Sequence, residues 1–161
     1  MYLVDTNVWL ERLLAQERSD EVGRFLSGVP SERLHLTDFS FHSICLALTR
    51  HKLDAALRDF VRDSFQRGAV GLVALTPTDS NRVLVVMRNY NLDFDDAYQY
   101  VAAEKRGLTL VSYDTDFDRT ERGRKTPQTL LDSFNDEPDP DFVARERPSA
   151  SRRKAKGRKR G

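Results

Sequence analysis

Short apolar runs, each closed by polar or turn residues, alternate along this chain with stretches whose apolar residues recur every three to four positions. No other feature limits the fold as tightly. The runs are Tyr2 to Val4, Leu34 to Leu36, Val70 to Leu75 and Leu108 to Val111, with a weak fifth candidate near Arg124. They are too short for helices and read as buried strands. Phe41, Ile44, Cys45 and Leu48 form a stripe at i, i+3, i+4 and i+7, and Leu57, Phe60, Val61 and Phe65 form another. Val83, Val86, Met87 and Tyr90 mark a third helix, opened by Thr76-Pro77 and capped near Thr78 or Asp79. A fourth carries Ala97, Val101 and Glu104 and closes at Gly107; a last one begins at Pro127 and carries Leu130, Leu131 and Phe134. These assignments rest on amphipathic spacing and on the fixed preferences of Pro and Gly for helix starts and ends. Strands alternating with helices predict an α/β fold, with a central parallel sheet of four or five strands covered on both faces.

Charge divides the chain in two. From Arg145 onward there are nine Lys or Arg and one acid, whereas the preceding residues hold seventeen basic and twenty-four acidic groups, so a formal net charge of +1 conceals an acidic body and a basic tail. Glu137-Pro138-Asp139-Pro140-Asp141 marks the boundary. Residues 1–135 are expected to form one domain and 136–161 a disordered basic tail, because the tail has almost no apolar surface to offset the entropy of ordering it. It reads either as a solvated terminus or as a tether to RNA phosphates. The only cysteine, Cys45, excludes an internal disulfide and reads as a buried structural thiol; there is no Cys/His zinc pattern. No apolar stretch approaches the roughly 20 residues that span a bilayer, and Asp5, Asn7 and Glu11 interrupt any signal-peptide pattern. No membrane association and a cytoplasmic location are expected.

In a parallel α/β sheet, ligands bind where the strands end at their carboxyl side. Acids sit at those ends here. Asp5 follows the first strand directly, Asp38 lies just past the second, Asp114 and Asp116 follow the last, and Asp96 falls in the first turn of the helix that begins near Asp93. Carboxylates gathered by folding repel one another unless protons or a cation neutralise them, and a hard divalent ion with oxygen ligands suits such a set. Individual acids also have plainer roles. Asp93 and Asp95 read as helix caps, and Asp5-Thr6-Asn7 is itself a good helix start.

A hydrophobic strand followed by Asp5-Thr6-Asn7, then Asp96-Ala97 opening a helix with Ala102 and Ala103, then Gly107 and Leu110-Val111-Ser112-Tyr113-Asp114-Thr115-Asp116-Phe117, resembles the PIN domain. Bacterial and archaeal VapC-like toxins are the most similar members. The resemblance covers residues 1 to about 135. It implies a three-layer α/β/α fold and an Mg²⁺- or Mn²⁺-dependent endoribonuclease leaving 5′-phosphate and 3′-hydroxyl ends. It also implies the toxin of a type II toxin–antitoxin pair, with an antitoxin protein as partner, and the family often forms homodimers. Asp5, Asp96 and Asp114 match its metal-binding and catalytic acids, Asp116 the acid that accompanies the last of them, and Thr6 and Ser112 its hydroxyl positions.

One position departs. The family usually carries a Glu on the helix after the second strand, and Thr37-Asp38-Phe39-Ser40-Phe41-His42-Ser43 puts Ser43 there, with no acid beyond Asp38 on that helix. Asp38 could reach the site from the strand end, His42 could serve as ligand or proton carrier, or metal binding could be weaker. His35 and His51 are assigned to structure. Arg12, Arg82, Arg119, Arg122 and Lys125 are candidates for gripping RNA, although most such side chains are solvated surface charges. Two other classes compete. The missing Glu is compatible with a PIN-fold module that binds RNA or a partner with weak or no hydrolysis. A phosphoryl-transfer receiver fits less well, since no Asp-x-Asp follows the first strand and no Lys ends a late one.

Overall fold

The computed structural model describes residues 1–136; of the expected basic tail, Asp136 instead ends the last helix, and 137–161 lie outside the described residues. In chain order the elements are β1 (Tyr2–Val4), α1 (Thr6–Leu13), α2 (Ser19–Gly28), β2 (Leu34–Thr37), α3 (Asp38–Arg50), α4 (Asp54–Val61), β3 (Gly71–Val73), α5 (Ser80–Tyr90), α6 (Phe94–Arg106), β4 (Thr109–Val111) and α7 (Pro127–Asp136). All strand pairs are parallel, in the order β3-β2-β1-β4, with Tyr2 opposite both Leu34 and Thr109. The two earliest strands therefore occupy the centre, and the chain crosses from one edge to the other between β3 and β4.

Successive residues of a strand face opposite sides of a sheet, and here they feed two separate cores. Tyr2, Val4, Leu34, Leu36 and Val111 pack with Val8, Trp9, Phe25, Ile44, Leu48, Phe60 and the apolar face of α7. Leu3, Val73 and Leu110 point the other way, into Val83, Val86, Tyr100, Val101 and Phe117. The result is the expected three-layer α/β/α arrangement, with α1 to α4 and α7 on one face and α5 and α6 on the other. Ring contacts of Trp9 with Phe60 (edge-on, 5.3 Å) and of Phe41 with Phe60 (stacked, 6.3 Å) tie α1, α3 and α4 together.

Several local expectations need adjustment. The fifth strand near Arg124 is a single parallel bridge, Val111 to Lys125, so among the described residues the sheet has four strands. The apolar stripe ending at Phe65 is not one regular helix. After Val61 the backbone widens into a π-type turn over Arg62–Gln66, with Arg67 and Gly68 donating to the carbonyls five residues earlier. A Cβ on Gly68 would lie 2.7 Å from the Asp63 carbonyl oxygen, so this exit requires glycine. The cap before α5 moves back to Thr76, whose N–H donates to Asp79 Oδ2 at 2.7 Å across a 3-10 turn. Gly107 closes α6 at φ 63°, as its place after Arg106 predicts. Cys45 is only partly buried. Helices α1 and α2 carry no assignment from periodicity; Val8 and Trp9, and Val22 and Phe25, are their buried residues. No helix among the described residues is long and apolar enough to cross a membrane.

Candidate active site

β1 and β4 lie side by side and end together, which places Asp5 and Ser112 in contact although 107 residues separate them. The Asp5 N–H donates to the Val111 carbonyl at 2.9 Å, extending the ladder by one rung. Its backbone then occupies the N-cap position of α1, but the side chain makes no capping hydrogen bond. It is committed elsewhere. Oδ2 accepts from Ser112 Oγ at 2.6 Å and from Asn7 Nδ2 at 2.7 Å, and Oδ1 accepts from the Gln99 amide. At 3% exposure the carboxyl is buried. Burial pushes its pKa up, the Ser112 and Gln99 hydrogen bonds pull it down, and nearby Asp114 adds a further upward push.

Gln99 is held in turn. Its Oε1 accepts from Ser40 Oγ at 3.4 Å, Ser40 Oγ accepts from Thr37 Oγ1 at 2.8 Å, and the Ser40 N–H donates to Thr37 Oγ1 at 2.9 Å as the cap of α3. A buried series of donors thus runs from the end of β2 through α6 to Asp5. Ser112 is the second anchor: its Oγ also accepts from the Asp114 N–H at 2.9 Å, while Asn7 Oδ1 accepts from the Tyr113 N–H at 3.2 Å. The turn after β4 is therefore fastened to the first turn of α1.

Asp5, Asp96 and Asp114 line one cleft of about 350 Å³, joined by Thr6, Asn7, Phe39, Ser43, Asp93, Asp95 and Gln99. Asp96, half-buried, has its carboxyl pushed up to about 7, first by burial and then by the negative charges of Asp93, Asp114, Asp5 and Asp116. That coupling is the electrostatic signature of carboxylates crowded at one place. Asp116 does not line the cleft. Its Oδ2 pairs with Arg119 at 2.9 Å, and its N–H donates to Asp114 Oδ1 at 2.8 Å, so it stands beside the cleft and fixes Asp114. Asp93 caps α6 by accepting from the Asp96 N–H at 2.9 Å, as expected; Asp95 does not cap but sits in the first turn and lines the cleft.

At the β2 corner the candidates offered for the absent Glu take different places. Ser43 does face the cleft from α3. Asp38 and His42, both exposed, do not line it, and Asp38 Oδ1 accepts instead from the Tyr98 hydroxyl at 2.8 Å. Of the basic candidates, Arg82 is held bidentately by Glu104 (2.9 and 2.6 Å), Arg122 donates to the Leu108 carbonyl, and Arg12 bonds Ser19 at 3.2 Å. Lys125 is exposed, and Arg119 reaches the site only through Asp116. Asn7 and Gln99 are the contributors that sequence alone left without a role. Gln99 had a usable signal, since it follows Asp96 by three residues and so shares its helix face.

Among the described residues no three His, Cys, Asp or Glu side chains converge closely enough to enclose a cation by themselves. The donor set is one of carboxylate oxygens, with Asp96 and Asp114 lining the cleft and Asp5 lining it while accepting from three side chains. It fits a hard, hydrated divalent ion that keeps most of its waters and takes one or two carboxylates.

Residues 2–123 match the sequence family of the PIN domain. Comparison with curated proteins gives no match. Solved structures of the same fold include a toxin–antitoxin complex from Klebsiella pneumoniae, at 16% identity and a TM-score of 0.64 over 79% of this chain and 98% of that one. FitAcB from Neisseria gonorrhoeae is similar at 20% identity and a TM-score of 0.62, over 80% of this chain and 99% of that one. VapC20 from Mycobacterium tuberculosis, a sarcin-ricin loop cleaving toxin, is similar at 18% identity and a TM-score of 0.58, over 74% of this chain and 92% of that one.

Proposed function

The chain belongs to the PIN-domain family, and on that premise we propose that it is a divalent-metal-dependent endoribonuclease acting as the toxin of a toxin–antitoxin pair. One observation carries this proposal above the rest: Asp5, Asp96 and Asp114, from three separate elements, share a cleft at the carboxyl edge of a parallel sheet, where burial first and then the charges of Asp93, Asp114, Asp5 and Asp116 push Asp96 up to about 7. Such crowding destabilises the protein unless a proton or a cation relieves it. Asp96 and Asp114 would hold Mg²⁺ or Mn²⁺, with Asp5 behind them. When bound, the ion supplies charge neutralisation at the phosphodiester and activation of the attacking water. The chain's own residues supply the rest. Ser112, Asn7 and Gln99 keep Asp5 in one rotamer, Asp116 and Ser112 fix Asp114, and Thr6 offers a hydroxyl at the cleft wall for a phosphate oxygen.

The toxin–antitoxin complex from Klebsiella pneumoniae among the structural neighbours supports an antitoxin as partner, and VapC20, a sarcin-ricin loop cleaving toxin, supports the toxin role. The test is cleavage of a panel of structured RNAs by purified protein with Mn²⁺. Activity lost in Asp96→Asn, with the fold intact by circular dichroism, supports the nuclease. RNA binding without cleavage in Mg²⁺ or Mn²⁺ overturns it and favours a second reading, a PIN-fold binding module. That alternative is motivated by the neutral Ser43 at the cleft wall.

A further inference from the structure

An aromatic ladder leaves the acidic cleft. Phe39 lines that cleft, and its ring lies 5.8 Å from the ring of Tyr98, which lies 6.2 Å from that of Phe94. Phe94 and Tyr98 are four residues apart on α6 and so share one face of the helix, while Asp93, Asp95 and Asp96 of the same turn serve the acidic side. The Tyr98 ring is fixed at its hydroxyl, which donates to Asp38 at 2.8 Å and accepts from the Leu75 N–H at 2.9 Å. Beyond it opens a second cleft of about 270 Å³, bounded by Phe94, Tyr98, Leu75, Pro77 and Val83. Phe94 stands 46% exposed at its mouth, an uncommon place for a large apolar ring.

The polar groups around this cleft are occupied by their own neighbours. Ser80 Oγ donates to the Pro77 carbonyl and Thr76 Oγ1 to Asp79, so an occupant would be held by ring contact rather than by hydrogen bonds to its edge.

We propose that Phe94 and Tyr98 form a stacking subsite for one unpaired nucleobase of a single-stranded or looped RNA, next to the nucleotide whose phosphate enters the acidic cleft. The proposal rests on the ribonuclease assignment and adds the two side chains that would hold a base beside the reacting nucleotide. Stacking on aromatic side chains is the usual grip on single strands, and it tolerates any base because every base has a π face. The subsite therefore favours purines modestly, by stacking area, and reads no sequence.

The test uses short single-stranded RNAs carrying 2-aminopurine, whose fluorescence is quenched on stacking, with the wild type, Phe94→Ala and Phe94→Trp. Binding and quenching are read at equilibrium, and cleavage is read separately in Mn²⁺. The expected result is quenching by wild type, affinity weakened on the order of tenfold in Phe94→Ala, restoration in Phe94→Trp, and a KM that rises in Phe94→Ala while kcat holds. An RNA with an abasic site at the quenched position should bind wild type and Phe94→Ala alike. Equal affinity and equal quenching for wild type and Phe94→Ala overturn the subsite, including the case in which the cleft serves a protein partner instead. Because quenching needs no hydrolysis, a protein that quenches through Phe94 but never cleaves sinks the nuclease assignment and leaves the subsite standing. A protein that cleaves with no dependence on Phe94 does the reverse.

Discussion

The two walls of the acidic cleft are built on different terms. The wall at the ends of β1 and β4 is charged and locked: Asp5 is buried, three side chains donate to its oxygens, and Asp114 is pinned by its own turn. The wall contributed by β2 and α3 is neutral. Thr37 and Ser40 spend their hydroxyls on each other and on Gln99, Ser43 faces the cleft without charge, and Asp38 serves Tyr98. Negative charge is thus concentrated on one side, and the neutral side acts on it indirectly, by orienting the glutamine that orients Asp5. Rigidity at a charged site can come from a neighbour that carries no charge.

The largest expected effect comes from removing the locked acid. Asp5→Ala should abolish cleavage by more than the roughly 10–100-fold that outer-sphere partners command. It should also lower unfolding free energy by about 1–3 kcal/mol, because Ser112 and Gln99 are left with buried, unpaired donors; denaturant unfolding measures this, and an unchanged midpoint would show that these donors find other partners. Next is the link between the walls. Gln99→Leu keeps the volume but breaks the relay from Ser40, and should reduce cleavage by about 10–100-fold while an exposed control, Asp132→Asn, does nothing. Activity equal to wild type would mean that Ser112 and Asn7 alone suffice to hold Asp5.

Ser43→Glu tests the comparison from the neutral side. A carboxylate added there should tighten Mn²⁺ binding by about tenfold or more, given that two unit charges 4 Å apart attract by about 1 kcal/mol in bulk water and ~4 kcal/mol near a protein surface. Calorimetric titration reads it, and unaltered affinity would mean that the cation sits wholly on the charged wall. A further effect is a pH dependence. Asp96 stands at about 7 in the folded protein against ~3.9 for an unperturbed Asp, so the folded state retains a proton that the unfolded state has lost. Metal-free stability should then fall as pH rises from about 4 to about 7. Mn²⁺ should flatten that slope, and a slope that is the same with and without the ion would place the cation away from Asp96.

Much of this could be read from the residues in order. Strand runs, helix stripes and the Pro and Gly punctuation are local signals, and they yielded the parallel α/β layers, the acids at strand ends and the neutral residue at position 43. Local signals failed where the determinant was not local. The π-type turn after Val61 depends on a carbonyl closing on Gly68, and the weak strand near Arg124 remained a bridge because only Lys125 meets β4. Asp38 and His42 were indistinguishable from site residues by spacing; the direction in which α3 leaves β2 turned Asp38 toward Tyr98 and left His42 exposed.

The sequence by itself determined the alternation of strand and helix, hence the sheet, and the carboxylates placed where strands must end. Only the tertiary structure decided which of them share a cleft, because that depends on the order β3-β2-β1-β4 and the packing of α6 bringing Asp5, Asp96 and Asp114 together from distant parts of the chain. The same folding set their chemistry. A carboxyl's proton affinity follows from burial and neighbours, and Asp96 acquires both only once the cleft exists.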